Sequence, residues 1–340
     1  MKKILTLTSG GDAPGMNAAL RGIIREASFN DIQVYAAYDG YKGLVEGNIL
    51  PLTNHDIAGT LQVGGTILGT ARFPEFQETP YVMKAIQNLK KCDIDGVIVI
   101  GGNGSLSGAH LLYQESGLPV VGIPASIDND LAGTDMAIGV DTALNTIVYN
   151  VDKIRDTASS HGRIFVIEVM GRNCGYLALN SAISCGALAV LIPELEDDFE
   201  PEVFCNLVHK AFRRSKKHAI VIKAEGFTRH SDEELKQMLS DYMIARGMDR
   251  VSMRFTNLGH IQRGGAPTSF DRLLASKLGI HAVRHLIAGN TDIMVGLVKN
   301  TITTCPLTEV GNGKRERVLA FYEDYMQHEI MMARKLTPSN

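Results

Sequence analysis

Short runs of β-branched and apolar residues recur along this chain, at Ile4 to Thr8, Gly96 to Ile100, Val120 to Ile123, Ile164 to Val169, Ala189 to Ile192, Ala219 to Ile222 and Met294 to Val298. Unbroken runs of this length suit strands buried on both faces, and such strands belong to parallel sheets covered by helices. Between them the apolar period becomes that of a helix, as at Leu20, Ile23, Ile24 and Ala27. The alternation predicts an α/β fold whose ligands collect at the carboxyl ends of the strands. With 340 residues, 45% of them apolar, the chain is too long for one small core and divides into two domains. It shows neither a short repeat nor a low-complexity linker, which predicts domains interleaved in sequence rather than strung in series.

Charge narrows the partners. Thirty-four basic against 37 acidic side chains leave a formal charge of −3, with no bulk attraction to nucleic acid or anionic lipid. No apolar run approaches the roughly 18 residues of a membrane-spanning helix. Met1-Lys2-Lys3 runs straight into the first strand without an apolar leader, which predicts a cytoplasmic protein. The 5 cysteines are scattered and form no C-x-x-C pair, as expected of free thiols. Ser231-Asp232-Glu233-Glu234 ahead of Leu235, Met238 and Leu239 predicts a capped amphipathic helix within Thr228 to Gly247, without chemistry of its own.

Three strand ends carry site-like loops: Ser9 to Asn17, Gly101 to Ser105 and Pro124 to Asp130. The pairs Gly10-Gly11 and Gly101-Gly102 sit where a strand hands over to a helix, so the backbone can approach a ligand and present N–H groups to an anion. Neither fits the P-loop or the dinucleotide fingerprint. Either alone would pass for a tight turn, but two at successive strand ends point to phosphate. Ser126-Ile127-Asp128-Asn129-Asp130 sets two carboxylates beside a hydroxyl, and on an extended segment both would face one side. One carboxylate can take the proton of an attacking hydroxyl while the other organises metal or water; capping of the next helix is the competing explanation.

Phosphoryl transfer also needs positive charge, for which Arg72, Arg163, Arg172, Arg254 and Arg263 are the candidates. Arg172 follows a strand through Met170-Gly171, a fourth site-like end. His260 and Arg263 share a face if their stretch is helical. Glu225, at the end of the Ala219 strand, is a carboxylate suited to sugar hydroxyls.

Taken together, Gly11 to Asn17, Gly64-Gly65-Thr66, Ala71 to Pro74, Gly101 to Ser105, Ile127 to Asp130, Met170-Gly171-Arg172 and Gly259 to Gly265 resemble bacterial 6-phosphofructokinases, in order and over residues 3 to about 300. The resemblance implies two interleaved three-layer α/β/α domains with mostly parallel sheets, a nucleotide-binding one at 1–138 plus 257–304 and a sugar-phosphate-binding one at 139–256 plus 305–340. It implies transfer of the γ-phosphoryl group of ATP, with Mg²⁺, to the 1-hydroxyl of fructose 6-phosphate, in a homotetramer with shared active sites. By position, Asp128 resembles the general base, with Arg172 and Ser126 stabilising the transferred group, and Asn103 and Asp130 take the metal positions. Gly11, Tyr41, Arg72, Phe73, Gly102, Asn103, Gly104 and Ser105 correspond to nucleotide contacts. Ser126, Ile127, Asp128, Met170, Gly171, Arg172, Glu225, Arg254, His260 and Arg263 correspond to substrate contacts, with Arg163 reaching in from a neighbouring subunit.

The chain departs from the family in three places. Asn103 stands where a metal-binding aspartate is usual, which removes a charge facing Mg²⁺ and predicts weaker metal affinity. Ala125-Ser126 replaces a Gly-Thr pair, while Gly104 and Ala125 match ATP-using rather than pyrophosphate-using relatives. Of the effector site, Arg21, Arg25, Arg155, Arg214 and Lys216 match, but Asn54, His55, Gly59 and Leu188 do not, which predicts weak or absent activation by ADP. A pyrophosphate-dependent enzyme and a catalytically weak regulatory subunit of the same fold are the alternatives, and a nicotinamide oxidoreductase lacks its fingerprint.

Overall fold

The computed structural model describes residues 1–213, 217–248, 252–311 and 318. They pack as two compact units, Met1–Thr142 joined by the returning segment from Arg263, and Ala143–Gln262.

In the first unit come β1 (Lys3–Ser9), α1 (Met16–Phe29), β2 (Gln33–Ala37), α2 (Gly40–Glu46), β3 (Ile49–Pro51), α3 (Thr79–Lys91), β4 (Gly96–Gly101), α4 (Asn103–Ser116) and β5 (Val120–Pro124). Helix α5 (Val140–His161) carries the chain into the second unit, with β6 (Ile164–Val169), α6 (Tyr176–Ser184), β7 (Ala189–Leu191), α7 (Pro201–Arg213), β8 (Ala219–Ala224), α8 (Asp232–Ile244) and β9 (Met253–Asn257). The return supplies α9 (Ser269–Ile287), β10 (Ile293–Val298) and β11 (Thr301–Pro306). All seven runs picked out above are strands.

The sheet of the first unit has the order β11-β10-β5-β4-β1-β2-β3, parallel except for its two edge strands. From β1 the chain moves to β2 on one side and then to β4 on the other. The strand order therefore reverses at the β1–β4 pair, the place in an open α/β sheet where a crevice forms at the carboxyl ends. Ser9 pairs with Gly101 there, so both glycine loops leave the sheet side by side. Helices α1 and α9 cross closely because Gly22 and Gly279 lack side chains: a Cβ on Gly279 would lie 2.4 Å from the Ala19 carbonyl oxygen. Asp271, fully buried on α9, accepts from the Gly139 N–H at 2.9 Å, the Thr142 N–H at 2.8 Å and the Thr142 hydroxyl at 2.5 Å, capping the first turn of α5.

The sequence reading assigned residues from 305 onward to the second domain, whereas Cys305 and Pro306 belong to β11, paired with Met294 and Ile293 of β10. Lys299 and Asn300 both have positive φ, 48° and 61°, the two-residue turn that folds a strand straight back on its neighbour.

The second unit holds a fully parallel sheet, β7-β8-β6-β9. Its core includes Val166, Leu191, Phe204, Val208, Val221, Leu235 and Leu239, contributed by three strands and helices α7 and α8. Helix α8 has the expected cap: the Glu234 N–H donates to the Ser231 hydroxyl at 3.2 Å, and the Ser231 N–H to the Glu234 carboxylate at 2.8 Å.

Candidate active site

In the first unit, α4 begins immediately after β4, with Gly102 as a backbone-only cap. The first N–H groups of a helix have no acceptor within it, and the helix dipole adds positive charge at the same end. Gly104 opens onto free space, since a Cβ there would meet nothing within 4 Å. Below this turn, Tyr41 is 3% exposed, stacks on Phe76 with centroids 4.0 Å apart, and donates its hydroxyl to the Ser105 carbonyl at 2.7 Å. Burial pushes that hydroxyl's pKa well above its ordinary value, so it stays a donor. Tyr41, expected as a nucleotide contact, lies beneath the loop as its prop. Arg72 is exposed, and Phe73 is half-buried, edge-on to Tyr81 at 5.2 Å.

Across the β1 loop, the Arg263 guanidinium lies where a side chain on Gly11 would go, 2.7 Å from an ideal Cβ, and donates to the Asp12 carbonyl at 3.1 Å. Arg263, expected at the sugar phosphate, is thus packed against the glycine loop and only 8% exposed.

The Ser126 to Asp130 segment is a turn and not the extended piece expected. Ile127 and Asp128 form the turn, and Asn129 takes a left-handed φ of 50°. The Asn129 amide explains the bend: it donates to the Asp135 carbonyl at 3.0 Å and accepts the Ala137 N–H at 2.9 Å. Asp128 is consequently 3% exposed while Asp130 is half-buried. The Asp130 carboxylate receives the Asn103 amide at 3.3 Å and the Ser126 hydroxyl at 3.4 Å, and Ser126 in turn accepts the Asp128 N–H at 3.3 Å. The start of α4 and the carboxylate loop therefore form one linked group. Asn103 reaches Asp130 as a neutral donor, where a carboxylate would repel it.

That donor set suits a divalent cation carried by a nucleotide. Magnesium takes one or two carboxylates and neutral oxygens when phosphates supply the rest, and Asp130 with Asn103 and Ser126 matches this. Among the described residues no cluster of three His, Cys, Asp or Glu could hold a metal by itself.

In the second unit, Met170, Gly171 and Arg172 follow β6. Gly171 has φ 137° and Arg172 φ 50°, a left-handed turn that an arginine adopts only when its surroundings hold it there. The Met170 N–H donates to the buried Gln262 side chain at 3.1 Å, and the Gly171 and Arg172 N–H groups donate to Glu225 Oε1 at 3.2 and 2.7 Å. His260 is exposed on the short 3₁₀ turn Gly259–Arg263, which Gln262 ties down by donating to the Gly259 carbonyl at 2.9 Å. Arg163 and Arg254 stand apart from this group. Arg163 directly precedes β6, and Arg254 pairs with Phe165 at the start of that strand. They lie at the amino ends of the sheet, roughly 20 Å along the strand direction from the Met170 turn at ~3.3 Å per residue.

The phosphofructokinase family model matches residues 3–286. The chain belongs to the phosphofructokinase family. An ATP-dependent 6-phosphofructokinase of Staphylococcus aureus is 46% identical over 97% of this chain and 98% of its own. Phosphofructokinase from Saccharomyces cerevisiae superposes with a TM-score of 0.82 at 34% identity over 96% of this chain, which spans 47% of the yeast one. A pyrophosphate-dependent phosphofructokinase from Marinobacter aquaeolei shares the fold, with a TM-score of 0.80 at 23% identity over 92% of this chain and 84% of its own.

Some supporting residues of this phosphofructokinase-family chain escaped the sequence reading. Gln262 carried no signal beyond its place between His260 and Arg263. Lys223 did carry one, as a lone cation inside the buried Ala219 strand. It is 6% exposed and bonds Glu168 at 2.9 Å and Asp232 at 2.7 Å. Burial pulls its pKa down, but the bonds to Asp232 and Glu168 outweigh this and hold it above the ordinary value.

Of the effector candidates, Arg21 and Arg25 sit one turn apart on α1, half-buried and exposed. Arg155 donates to the Cys185 carbonyl and lines a cleft of about 430 Å³ with Ser159, Gly186, Leu188, Lys217 and His218. Arg214 and Lys216 lie outside the described residues.

Proposed function

We propose that this chain transfers the γ-phosphoryl group of ATP to the 1-hydroxyl of fructose 6-phosphate, giving fructose 1,6-bisphosphate and ADP in glycolysis. The observation that carries the reading is the linked group at the β1–β4 switch point, where the free N-terminus of α4 is hydrogen-bonded through Asn103 to the Asp128–Asp130 turn. An anion-binding helix end beside a buried carboxylate is what phosphate and an attacking hydroxyl require.

In this reading Asp128 accepts the hydroxyl proton as the sugar oxygen bonds to phosphorus and the bond to the ADP oxygen breaks. Arg172 and Ser126 offset the charge on the transferred group. Asp130, held by Asn103 and Ser126, would hold the magnesium's water shell. Bound Mg²⁺ supplies neutralisation of the β- and γ-phosphate oxygens. The loops of Gly11 and Gly102 to Ser105, with Arg72 and Phe73, receive the nucleotide, with Tyr41 supporting them. Met170, Gly171, Glu225 and His260 are the sugar-phosphate contacts of the second unit, and Ile127 is a substrate contact beside Asp128.

Arg163 and Arg254 serve a neighbouring copy, a role supported by their place at the far end of the β6 strand, and the enzyme is a homotetramer of the cytoplasm. Among the described residues no helix is long and apolar enough to cross a membrane.

The test is a coupled assay for fructose 1,6-bisphosphate with fructose 6-phosphate and Mg²⁺, supplying ATP in one reaction and pyrophosphate in another. Turnover with ATP alone is expected. Turnover with pyrophosphate alone would replace the donor, and silence in both would favour a regulatory subunit.

A further inference from the structure

The peptide between Gly10 and Gly11 has little local restraint, since neither residue carries a side chain, and Gly10 takes a φ of 88°. In the folded chain it is held from outside. The Thr70 hydroxyl donates to the Gly10 carbonyl at 2.9 Å, across 60 residues of chain. Thr70 belongs to a segment that is itself tied down. Asn17, 1% exposed in the first turn of α1, accepts the Ile67 N–H at 2.8 Å and donates to the Val63 carbonyl at 3.0 Å. The buried Thr8 hydroxyl of β1 donates to the Gly69 carbonyl at 2.8 Å, and the Asp39 N–H, just past β2, donates to the Leu68 carbonyl at 2.9 Å. A hydroxyl carried on so fixed a segment sets the direction of the glycine peptide, and not the reverse.

The tied segment lies on the β2 side of β1, and α4 begins on the other side, after β4. In a trans peptide the N–H points opposite to the carbonyl, so the Gly11 N–H is turned toward the start of α4. We infer that Thr70 is a positioning residue, whose hydroxyl holds the Gly10–Gly11 peptide with the Gly11 N–H aimed at the phosphates of the nucleotide. The inference rests on the reading that the Gly11 loop receives the nucleotide. The surface offered to the phosphates is backbone, while the bond that fixes its direction comes from a side chain. A peptide free to turn would present its carbonyl oxygen to the phosphates part of the time, which repels them.

The experiment uses the full-length enzyme with Thr70→Val, which keeps the branched shape without the hydroxyl, and Thr70→Ser, which keeps the hydroxyl. Gly11→Ala, Arg72→Ala and the double variants joining each of these to Thr70→Val complete the set. Steady-state kinetics give kcat and KM for ATP and for fructose 6-phosphate, with thermal melting alongside. Thr70→Val should raise KM for ATP about three- to tenfold, the worth of one hydrogen bond. At saturating ATP, kcat and KM for fructose 6-phosphate should change less than about twofold, and the melting temperature should hold within about 4 °C. Thr70→Ser should stay within about twofold of the parent. In the Gly11→Ala background the loss of the hydroxyl should cost less than in the parent, because both changes act on one peptide; with Arg72→Ala the two losses should multiply.

An unchanged KM for ATP in Thr70→Val would overturn the inference, as would equal rises for both substrates or a Thr70→Ser variant as impaired as Thr70→Val. So would a hydroxyl whose loss costs nothing further in Arg72→Ala, since Thr70 would then act through the arginine. Gly11→Ala with an unchanged KM for ATP would instead overturn the reading of the Gly11 loop itself. Should Thr70→Val fail to fold, Thr70→Ala carries the same expectations.

Discussion

The two ends of the proposed chemistry are built by different means. In the first unit the proposed phosphate loops are local: glycines in one short stretch after β1 and another after β4 let the backbone itself form the surface, and sheet pairing sets them side by side. In the second unit the Met170-Gly171-Arg172 turn is held by side chains from far along the chain. At Gly11 such a surface tolerates change, because what touches it there is the movable end of the Arg263 side chain. A turn braced from a distance depends on atoms that cannot yield.

The largest expected effect falls where the two designs share nothing. Asp128→Ala removes the proposed base, and kcat should drop by ~10²–10⁴ while fructose 6-phosphate still binds, as a substrate titration with the purified variant would show. A loss smaller than tenfold would mean that the turn serves shape and not proton transfer.

Next comes one substitution made in both units. A Cβ at Gly226 would meet the Arg172 carbonyl oxygen at 2.0 Å, which is backbone, whereas one at Gly11 would meet the tip of Arg263 at 2.7 Å, which can swing away. Gly226→Ala should therefore destabilise by ~1–3 kcal/mol in denaturant melts and lower kcat about tenfold. Gly11→Ala should leave stability within ~1 kcal/mol and raise KM for ATP a few-fold. Equal effects at both positions would erase the contrast.

Asn103→Asp tests the metal side. It replaces the donor 3.3 Å from Asp130 with a carboxylate, and the concentration of Mg²⁺ giving half-maximal rate should fall about three- to tenfold. An unchanged Mg²⁺ requirement would show that position 103 does not face the metal.

A smaller effect concerns the α5 cap. Burial pushes the Asp271 carboxyl from 3.8 up to about 6, against the pull of its bonds to Thr142 and Gly139. Because the folded value is raised, its contribution is fully present below about pH 3.8 and is lost as pH rises through about 6, to an extent of at most ~3 kcal/mol. Asp271→Asn cannot ionise, so between pH 4 and 6.5 its stability should fall less with rising pH than the parent's; parallel melting curves would remove this linkage. The least effect is expected of ADP at subsaturating fructose 6-phosphate, since Leu188 brings no carboxylate to the cleft beside Arg155. Several-fold activation would contradict that.

The buried runs of both sheets were legible because a strand covered on both faces must be apolar along its length. The strands passed over, β2, β3, β9 and β11, include all the edges on which that pressure is lifted except β7, and β11, with Thr301, Thr303 and Thr304, has no fully buried residue. Of the candidate site, the glycine pairs and the aspartates after β5 were legible as types at strand ends. Their conformation was not, since the left-handed Asn129 depends on Asp135 and Ala137.

By itself the sequence determined the α/β alternation, the candidate loops at the strand ends and, through ordered motifs, the family. Those properties are written in residues near one another, where strand burial and backbone freedom act within a few positions. Only the tertiary structure decided that Glu225 and Gln262 grip the Arg172 turn, that Tyr41 props α4 from below, that Arg263 lies against Gly11, and that Arg254 stands beside Phe165 at the other end of the sheet. Each depends on which strand lies beside which, and hydrogen bonds between partners dozens of residues apart leave no local pattern to read.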